Sequence, residues 1–200
     1  RELMQTSNQF YSIPQLQLAQ LLVENSSLDK VFICNSGAEA NEGTVKLARK
    51  YGKMHRNGAY EIITAFNSFH GRTLAMVSAT AQPHYQEPFQ PIPAGFVYVE
   101  YNDIDAIKAA TTNRTCAVML ELVQGEGGVN IASKTYIEQV RAWCDQEGLL
   151  LIFDEVHTGF GRLGSLFGYQ AFNVDPDILT LAKALGGGVP IGAFLAKEKA

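Results

Sequence analysis

The chain has 200 residues, 46% of them apolar and 18% charged, a composition typical of one globular domain with a sizeable core. The formal net charge of -4 comes without a basic stretch, which argues against nucleic acid or an acidic membrane surface as a partner and favours small-molecule chemistry. No apolar run reaches the roughly 18 residues of a membrane span.

Three cysteines, Cys34, Cys116 and Cys144, lie in or beside apolar runs. This pattern favours reduced thiols in a core over a disulfide framework or a zinc site. We therefore expect a cytoplasmic protein, with an organelle as the alternative. The chain begins without methionine or a signal-peptide pattern, so we also expect it to be a segment of a longer protein.

Predicted helices and strands alternate along the chain. The strands are expected at residues 31–34, 62–66, 96–99, 116–120, 149–153, 178–182 and 191–196. The helices are expected at residues 14–24, 36–55, 104–110 and 136–147. The proline-bearing residues 83–93 and the glycine-rich residues 124–128 are predicted to be loops.

Most predicted strands are continuous apolar runs with helices between them, which indicates a three-layer α/β fold with a mainly parallel sheet covered by helices on both faces. In such sheets ligands bind beyond the carboxyl ends of the strands. Five predicted strands are followed there by polar or aromatic residues: Ser36, Phe69 with His70, Glu121, Asp154 and Lys183. The pattern therefore predicts one site at one edge of the sheet.

Lys183 follows an apolar strand and precedes three glycines, in the stretch T-L-A-K-A-L-G-G-G-V-P-I-G-A. Apolar surroundings favour the neutral amine of a lysine, which can then attack a carbonyl and form a Schiff base. Taken alone, the pattern is more typical of a solvated loop lysine, so the assignment depends on the rest of the site.

Asp154 ends the most apolar predicted strand, so its carboxylate needs a cationic partner. A nucleotide-bound Mg²⁺ would require a G-x-x-x-x-G-K-[ST] loop, which the sequence lacks. A metal held with Glu155 and His157 is disfavoured because adjacent residues of an extended chain point in opposite directions. Residues 159–164 match G-x-G-x-x-G, but neither a preceding strand nor a following helix supports dinucleotide binding. A protonated ring nitrogen remains as the partner.

A phosphorylated ring cofactor would also need an anion site and a stacking partner. Ser36, Gly37 and Ala38 open the second helix directly after a strand, where backbone N–H groups can bind a phosphate. Ser36 and Glu39 match a capping box, which is the ordinary alternative. Phe69 or His70 could stack on the ring.

Five motifs resemble the class-III, pyridoxal-phosphate-dependent aminotransferases, and together they span most of the chain. They are N-S-G-A-E-A-N-E (35–42), F-H-G-R-T (69–73), Q-G-E-G-G (124–128), D-E-V-H-T-G-F-G-R (154–162) and A-K-A-L-G-G-G-V-P-I-G-A (182–193). The resemblance implies the large domain of a fold-type-I enzyme over residues 1–200, without the family's amino-terminal segment and small carboxyl-terminal domain.

The resemblance also implies roles for individual residues. Lys183 would form the Schiff base and Asp154 would pair with the pyridine nitrogen. The other implied cofactor-binding residues are Ser36, Gly37 and Ala38 at the phosphate, Phe69, His70 and Val156 at the ring, and His157 near the ring's phenolic oxygen. Arg72 would bind the substrate carboxylate, and Glu121 and Glu126 would line the substrate site. The family usually has Gln at the position of His157.

The activity implied by the resemblance is amino transfer from an ω-amino donor to 2-oxoglutarate, with N-acetylornithine as the favoured donor and arginine biosynthesis as the context. Ornithine, 4-aminobutyrate and succinylornithine are alternative donors. The implied assembly is a homodimer with its site at the subunit interface, and no metal is expected. A non-catalytic folded fragment is the alternative from a different functional class.

Overall fold

The computed structural model describes residue 7 and residues 9–200. The α-helices are α1 (Ile13–Glu24), α2 (Gly37–His55), α3 (Leu74–Ala79), α4 (Pro83–Gln86), α5 (Ile104–Ala110), α6 (Lys134–Glu147) and α7 (Gly168–Phe172). The strands are β1 (Lys30–Cys34), β2 (Glu61–Ala65), β3 (Phe96–Val99), β4 (Thr115–Leu120), β5 (Val123–Gln124), β6 (Asn130–Ile131), β7 (Leu150–Asp154), β8 (Ile178–Leu181) and β9 (Gly192–Ala196). Short 3₁₀ helices lie at Glu87–Phe89 and Lys183–Gly186.

Seven strands of the described chain form one sheet in the order β1-β9-β8-β7-β4-β2-β3. β9 is antiparallel to both of its neighbours, β1 and β8, whereas the other pairs are parallel. Six strands therefore run in one direction, and their carboxyl ends share one edge. The predicted mainly parallel sheet is confirmed.

Helices cover both faces of this sheet. Successive strand residues point to opposite faces, and apolar side chains on each face pack against helices. Ile62 packs in a buried cluster with residues of α2 and α3. Ile63, the next residue, packs in a second cluster with residues of α1, α5 and α6. The predicted three-layer architecture is therefore confirmed.

Short helices are the main departure from the predicted elements. Residues 83–93, predicted to be loop, contain α4 and the 3₁₀ turn Glu87–Phe89, and residue 124 of the predicted glycine-rich loop belongs to β5. Helices α3 and α7 have no counterpart among the predicted elements. Helices of four to six residues are unstable alone, so tertiary contacts form them. The side chain of Gln86, for example, donates hydrogen bonds to the Thr80 carbonyl and the Tyr98 hydroxyl at 2.8 and 3.0 Å.

The thiols of Cys116 and Cys144 are buried and that of Cys34 is half-buried, and all three are free. None of the helices in the described part of the chain combines the length and apolarity that a membrane crossing requires.

Candidate active site

A cavity of about 560 Å³ opens at the carboxyl edge of the sheet. Its wall includes every residue that the sequence predicts for the site: Ser36, Gly37, Ala38, Phe69, His70, Arg72, Glu121, Glu126, Asp154, Val156, His157 and Lys183. They meet because β1, β2, β4, β7 and β8 all end at this edge. The structure brings the predicted residues together, while their roles stay predictions.

The carboxylate of Asp154 lies on the cavity wall and is only 3% exposed. Its Oδ2 accepts hydrogen bonds from the side chains of Asn41 and His70, each at 2.8 Å. Its Oδ1 accepts from the Val156 N–H at 3.1 Å and from the Thr180 hydroxyl at 3.3 Å. These four hydrogen bonds hold the carboxylate in one orientation in the cavity wall.

Asn41 was missed by the sequence analysis, although it lies within one of the recognised motifs. It is buried in α2, and its amide donates to both Asp154 and the carbonyl of His70, the latter at 2.7 Å. An amide with two donors can join a carboxylate to a neighbouring loop. Asn41 therefore links the helix to the segments that end β2 and β7, and its place in the N-S-G-A-E-A-N-E motif was the available signal.

His70 is fully buried behind Asp154. Its backbone N–H donates to the Thr80 hydroxyl at 2.9 Å, and its Nδ1 contacts Asp154. Burial opposes protonation, but the hydrogen bond and charge of Asp154 outweigh it and raise the pKa of His70. This position suits a partner of Asp154 rather than a stacking surface. Of the two stacking candidates, the half-buried Phe69 is the more accessible.

Lys183 is exposed in the described chain. The prediction that its amine has apolar surroundings is therefore wrong. Its backbone adopts φ of 46°, a left-handed conformation that is unfavourable for residues other than glycine. Its Nζ lies 2.9 Å from Nδ1 of His157. Such backbone strain is often found at functional sites.

The amino-terminal end of α2 faces the cavity with Ser36, Gly37 and Ala38. The Ser36 hydroxyl accepts a hydrogen bond from the Glu39 N–H at 3.2 Å. The Glu39 carboxylate accepts from the Asn35 N–H at 2.6 Å, one residue before the cap, so only half of the predicted capping box forms. The first N–H groups of a helix have no partner within it and can bind an anion.

Arg72 is exposed at the cavity mouth, and its guanidinium lies over two aromatic rings. Its Cζ is 6.0 Å from the ring centre of Phe69 and 5.7 Å from that of Tyr85. The two rings pack edge to face with centroids 5.5 Å apart. Tyr85 was missed because its segment was predicted to be loop. It gives the guanidinium a second aromatic support and so restricts where the charge can point.

Glu121 and Glu126 occupy different environments. Glu121 is buried and accepts a hydrogen bond from the Phe69 N–H at 3.0 Å. Burial raises the pKa of Glu121 to about 8, with the charge of Asp154 adding to the effect and that of His70 opposing it. Glu126 is exposed on the loop between β5 and β6. A protonated Glu121 could donate a hydrogen bond into the cavity.

Glu155 points away from Asp154, as expected for consecutive residues of a strand end. Its carboxylate is buried and accepts hydrogen bonds from the N–H groups of Gly168 and Tyr169, which begin α7. Burial raises the pKa of Glu155 to about 7, although these two hydrogen bonds oppose the shift. Glu155 therefore anchors α7 and the loop before it.

A family model for the class-III aminotransferases matches residues 1–200. An acetylornithine aminotransferase of Methanocaldococcus jannaschii is 56% identical over 198 residues, which are 98% of this chain and 50% of that protein. The crystal structure of N-acetylornithine aminotransferase from Stenotrophomonas maltophilia is 44% identical with a TM-score of 0.82, over 97% of this chain and 48% of that one.

The ornithine aminotransferase from Toxoplasma gondii, whose active site holds pyridoxal phosphate at partial occupancy, is 32% identical. Its TM-score is 0.91, and the match covers 96% of this chain and 46% of that one. This chain thus spans about half the length of these relatives. Because the family model matches the chain over its whole length, the chain belongs to the class-III aminotransferases.

Proposed function

We propose that this chain binds pyridoxal phosphate and forms the large domain of an aminotransferase. The amino donor is an ω-amine, with N-acetylornithine favoured, and the acceptor is 2-oxoglutarate. One observation carries the proposal: the amine of Lys183, the carboxylate of Asp154 and the start of α2 face one cavity. Similarity to acetylornithine aminotransferases supports the donor. The context of arginine biosynthesis and a homodimer with its site at the subunit interface are further parts of the proposal.

The residues present fit the functional groups of pyridoxal phosphate. The cavity volume lies in the range of about 300–1,000 Å³ of small-molecule sites. The buried carboxylate of Asp154 suits a protonated ring nitrogen, and the helix start suits a phosphate. A Cβ added to Gly37 would lie 2.9 Å from both methyl groups of Val156, so the phosphate site directly adjoins the side chain expected at one ring face.

Each of three side chains would have a separate role in the proposed reaction. Lys183 would bind the cofactor's aldehyde and, once released, carry a proton between the donor carbon and the cofactor. Asp154 would keep the ring nitrogen protonated, and Arg72 would bind a substrate carboxylate with its guanidinium. When bound, pyridoxal phosphate supplies the electron sink that makes removal of the carbon-bound proton feasible.

Cofactor binding is tested by titrating the chain with pyridoxal phosphate, reducing with borohydride and mapping the labelled peptide. The expected result is saturable absorbance and one adduct at Lys183. Lys183→Ala should abolish both signals, whereas Lys53→Ala, which removes an exposed lysine near the end of α2, should leave them unchanged. Equal labelling of the wild type and Lys183→Ala would refute the assignment.

The donor is tested by giving the cofactor-loaded protein 2-oxoglutarate with N-acetylornithine, ornithine, 4-aminobutyrate or succinylornithine and measuring glutamate. The highest kcat/KM is expected with N-acetylornithine. A higher kcat/KM with ornithine would instead identify ornithine as the donor. The ornithine aminotransferase from Toxoplasma gondii shares this fold. Cofactor binding without glutamate from any donor would favour a non-catalytic fragment.

A further inference from the structure

Lys183 has a direct contact that the proposed reaction does not use. Its Nζ lies 2.9 Å from Nδ1 of His157. β7 and β8 are adjacent parallel strands, and these residues follow their carboxyl ends. The pairing of the two strands therefore brings the segments that carry these residues side by side. An ammonium can only donate, so when Lys183 is an ammonium, Nδ1 of His157 accepts the hydrogen bond and the proton of the neutral ring lies on Nε2.

The imidazole ring of His157 lies against a glycine. A Cβ added to Gly125 would lie 2.8 Å from both Nδ1 and Cε1 of the ring and 2.9 Å from its Cγ. Those distances are shorter than any normal carbon contact, so a side chain at this position would displace the ring. The loop between β5 and β6 thus leaves space for the imidazole beside the amine.

The surroundings of His157 favour its neutral form on balance. Burial is the largest cause, and the charges of Lys183 and Arg162 add to it, so together they lower the pKa of His157. The carboxylates of Glu126 and Asp154 oppose the shift with smaller effects. The lowered pKa favours the neutral imidazole, which can accept a hydrogen bond at Nδ1.

We infer that His157 is a positioning residue for Lys183, whose amine it directs by accepting a hydrogen bond at Nδ1 and releases when the imidazole becomes protonated. The inference rests on the proposed function, because directing the amine matters only if Lys183 binds the cofactor's aldehyde. When both side chains are cationic, the hydrogen bond is lost and the charges repel each other. The amine then spends less time in the orientation set by the sheet.

Two substitutions separate positioning from structure. His157→Gln can still accept through its amide oxygen but does not titrate in this pH range, so it retains the contact at all pH values tested. His157→Leu fills a similar space and cannot accept. Comparing the two variants with the wild type isolates the hydrogen bond and its pH dependence from packing against Gly125.

The first experiment uses the chain without cofactor. The imidazole signals of ¹³C-labelled histidine are followed by NMR against pH, with His157 assigned from the signal missing in His157→Gln. Replacing Lys183 by Met should raise the titration midpoint of His157, because the nearby positive charge is removed. An unchanged midpoint would overturn the contact.

The second experiment measures how fast pyridoxal phosphate is trapped at Lys183 by cyanoborohydride between about pH 5.5 and 8. The wild-type rate, divided by that of His157→Gln, should fall towards acid pH by up to about fivefold, the factor that corresponds to one hydrogen bond of about 1 kcal/mol. His157→Leu should be slower than His157→Gln at every pH. A constant ratio overturns the positioning role.

The two experiments also separate this inference from the proposed function. If no variant forms an adduct at Lys183, the cofactor site is refuted and the role of His157 with it, while the NMR titration still reports the contact. If adducts form equally fast in all variants, the cofactor site stands and only the positioning role is refuted.

Discussion

Replacing Asp154 by Asn removes the negative charge from the wall of the cavity while keeping the size of the side chain. Asp154 Oδ2 accepts from Asn41 and His70, each at 2.8 Å. An amide has a single oxygen acceptor, so one side of the introduced carboxamide must present an N–H₂ group to donors. At least one buried hydrogen bond is then lost, and His70 loses its counter-charge.

The expected loss of stability depends on the protonation of His70. Breaking a buried ion pair by removing one partner costs about 3–5 kcal/mol. If His70 is already neutral, the cost falls towards the roughly 1–3 kcal/mol of leaving one buried polar group unsatisfied. The cost of Asp154→Asn should therefore change with pH by about 2 kcal/mol.

The direction of this pH dependence follows from the raised pKa of His70, which burial opposes and Asp154 produces. A group whose pKa is raised on folding contributes stability below its unfolded pKa, about 6.5 for histidine, and loses the contribution as pH rises through the folded pKa. Asp154→Asn should thus be most destabilising below about pH 6.5. The difference from the wild type should shrink at higher pH.

Urea unfolding at about pH 5.5 and 8.5 measures this difference, and Asp177→Asn is the matched control. Asp177 is also buried, but its partners are Arg141, Lys199 and the Leu151 N–H. Burial opposes ionisation, yet these partners lower the pKa of Asp177. Its contribution is present above about pH 4 and lost only as pH falls through the lowered pKa, so it stays constant in this range. Equal destabilisation by Asp154→Asn at both pH values would refute the reasoning.

Two further predictions concern the backbone around the cavity. Lys183→Gly should be about 1 kcal/mol more stable to urea than Lys183→Ala, because φ of 46° is costly for any residue with a Cβ; equal stabilities would contradict the strain. Gly192→Ala should destabilise the chain by about 1–3 kcal/mol, because the added methyl would overlap the carbonyl oxygen of Ser36 at the cap of α2. It should also weaken pyridoxal phosphate binding in a titration, and unchanged stability and affinity would count against this close approach.

The sequence determined the long elements of this protein. Continuous apolar runs such as that of β7 mark buried strands, and the long amphipathic pattern after Ser36 marks α2. Because parallel strands share the direction of their carboxyl ends, the positions of Asp154 and Lys183 after such runs already placed them at one edge. The motifs then indicated the family.

Only the tertiary structure shows the contacts that set the hydrogen-bond partners and charge states of the side chains in the site. Sequence spacing cannot show that Asn41 and His70, far from residue 154 in the chain, both hydrogen-bond to its carboxylate. The same is true of Tyr85 beneath Arg72, since α4 is too short to be stable without its neighbours. Periodicity reports which face of an element is buried, whereas partners and charge states depend on distances across the fold. For this reason the sequence located Lys183 at the site, and the fold supplied its contact with His157.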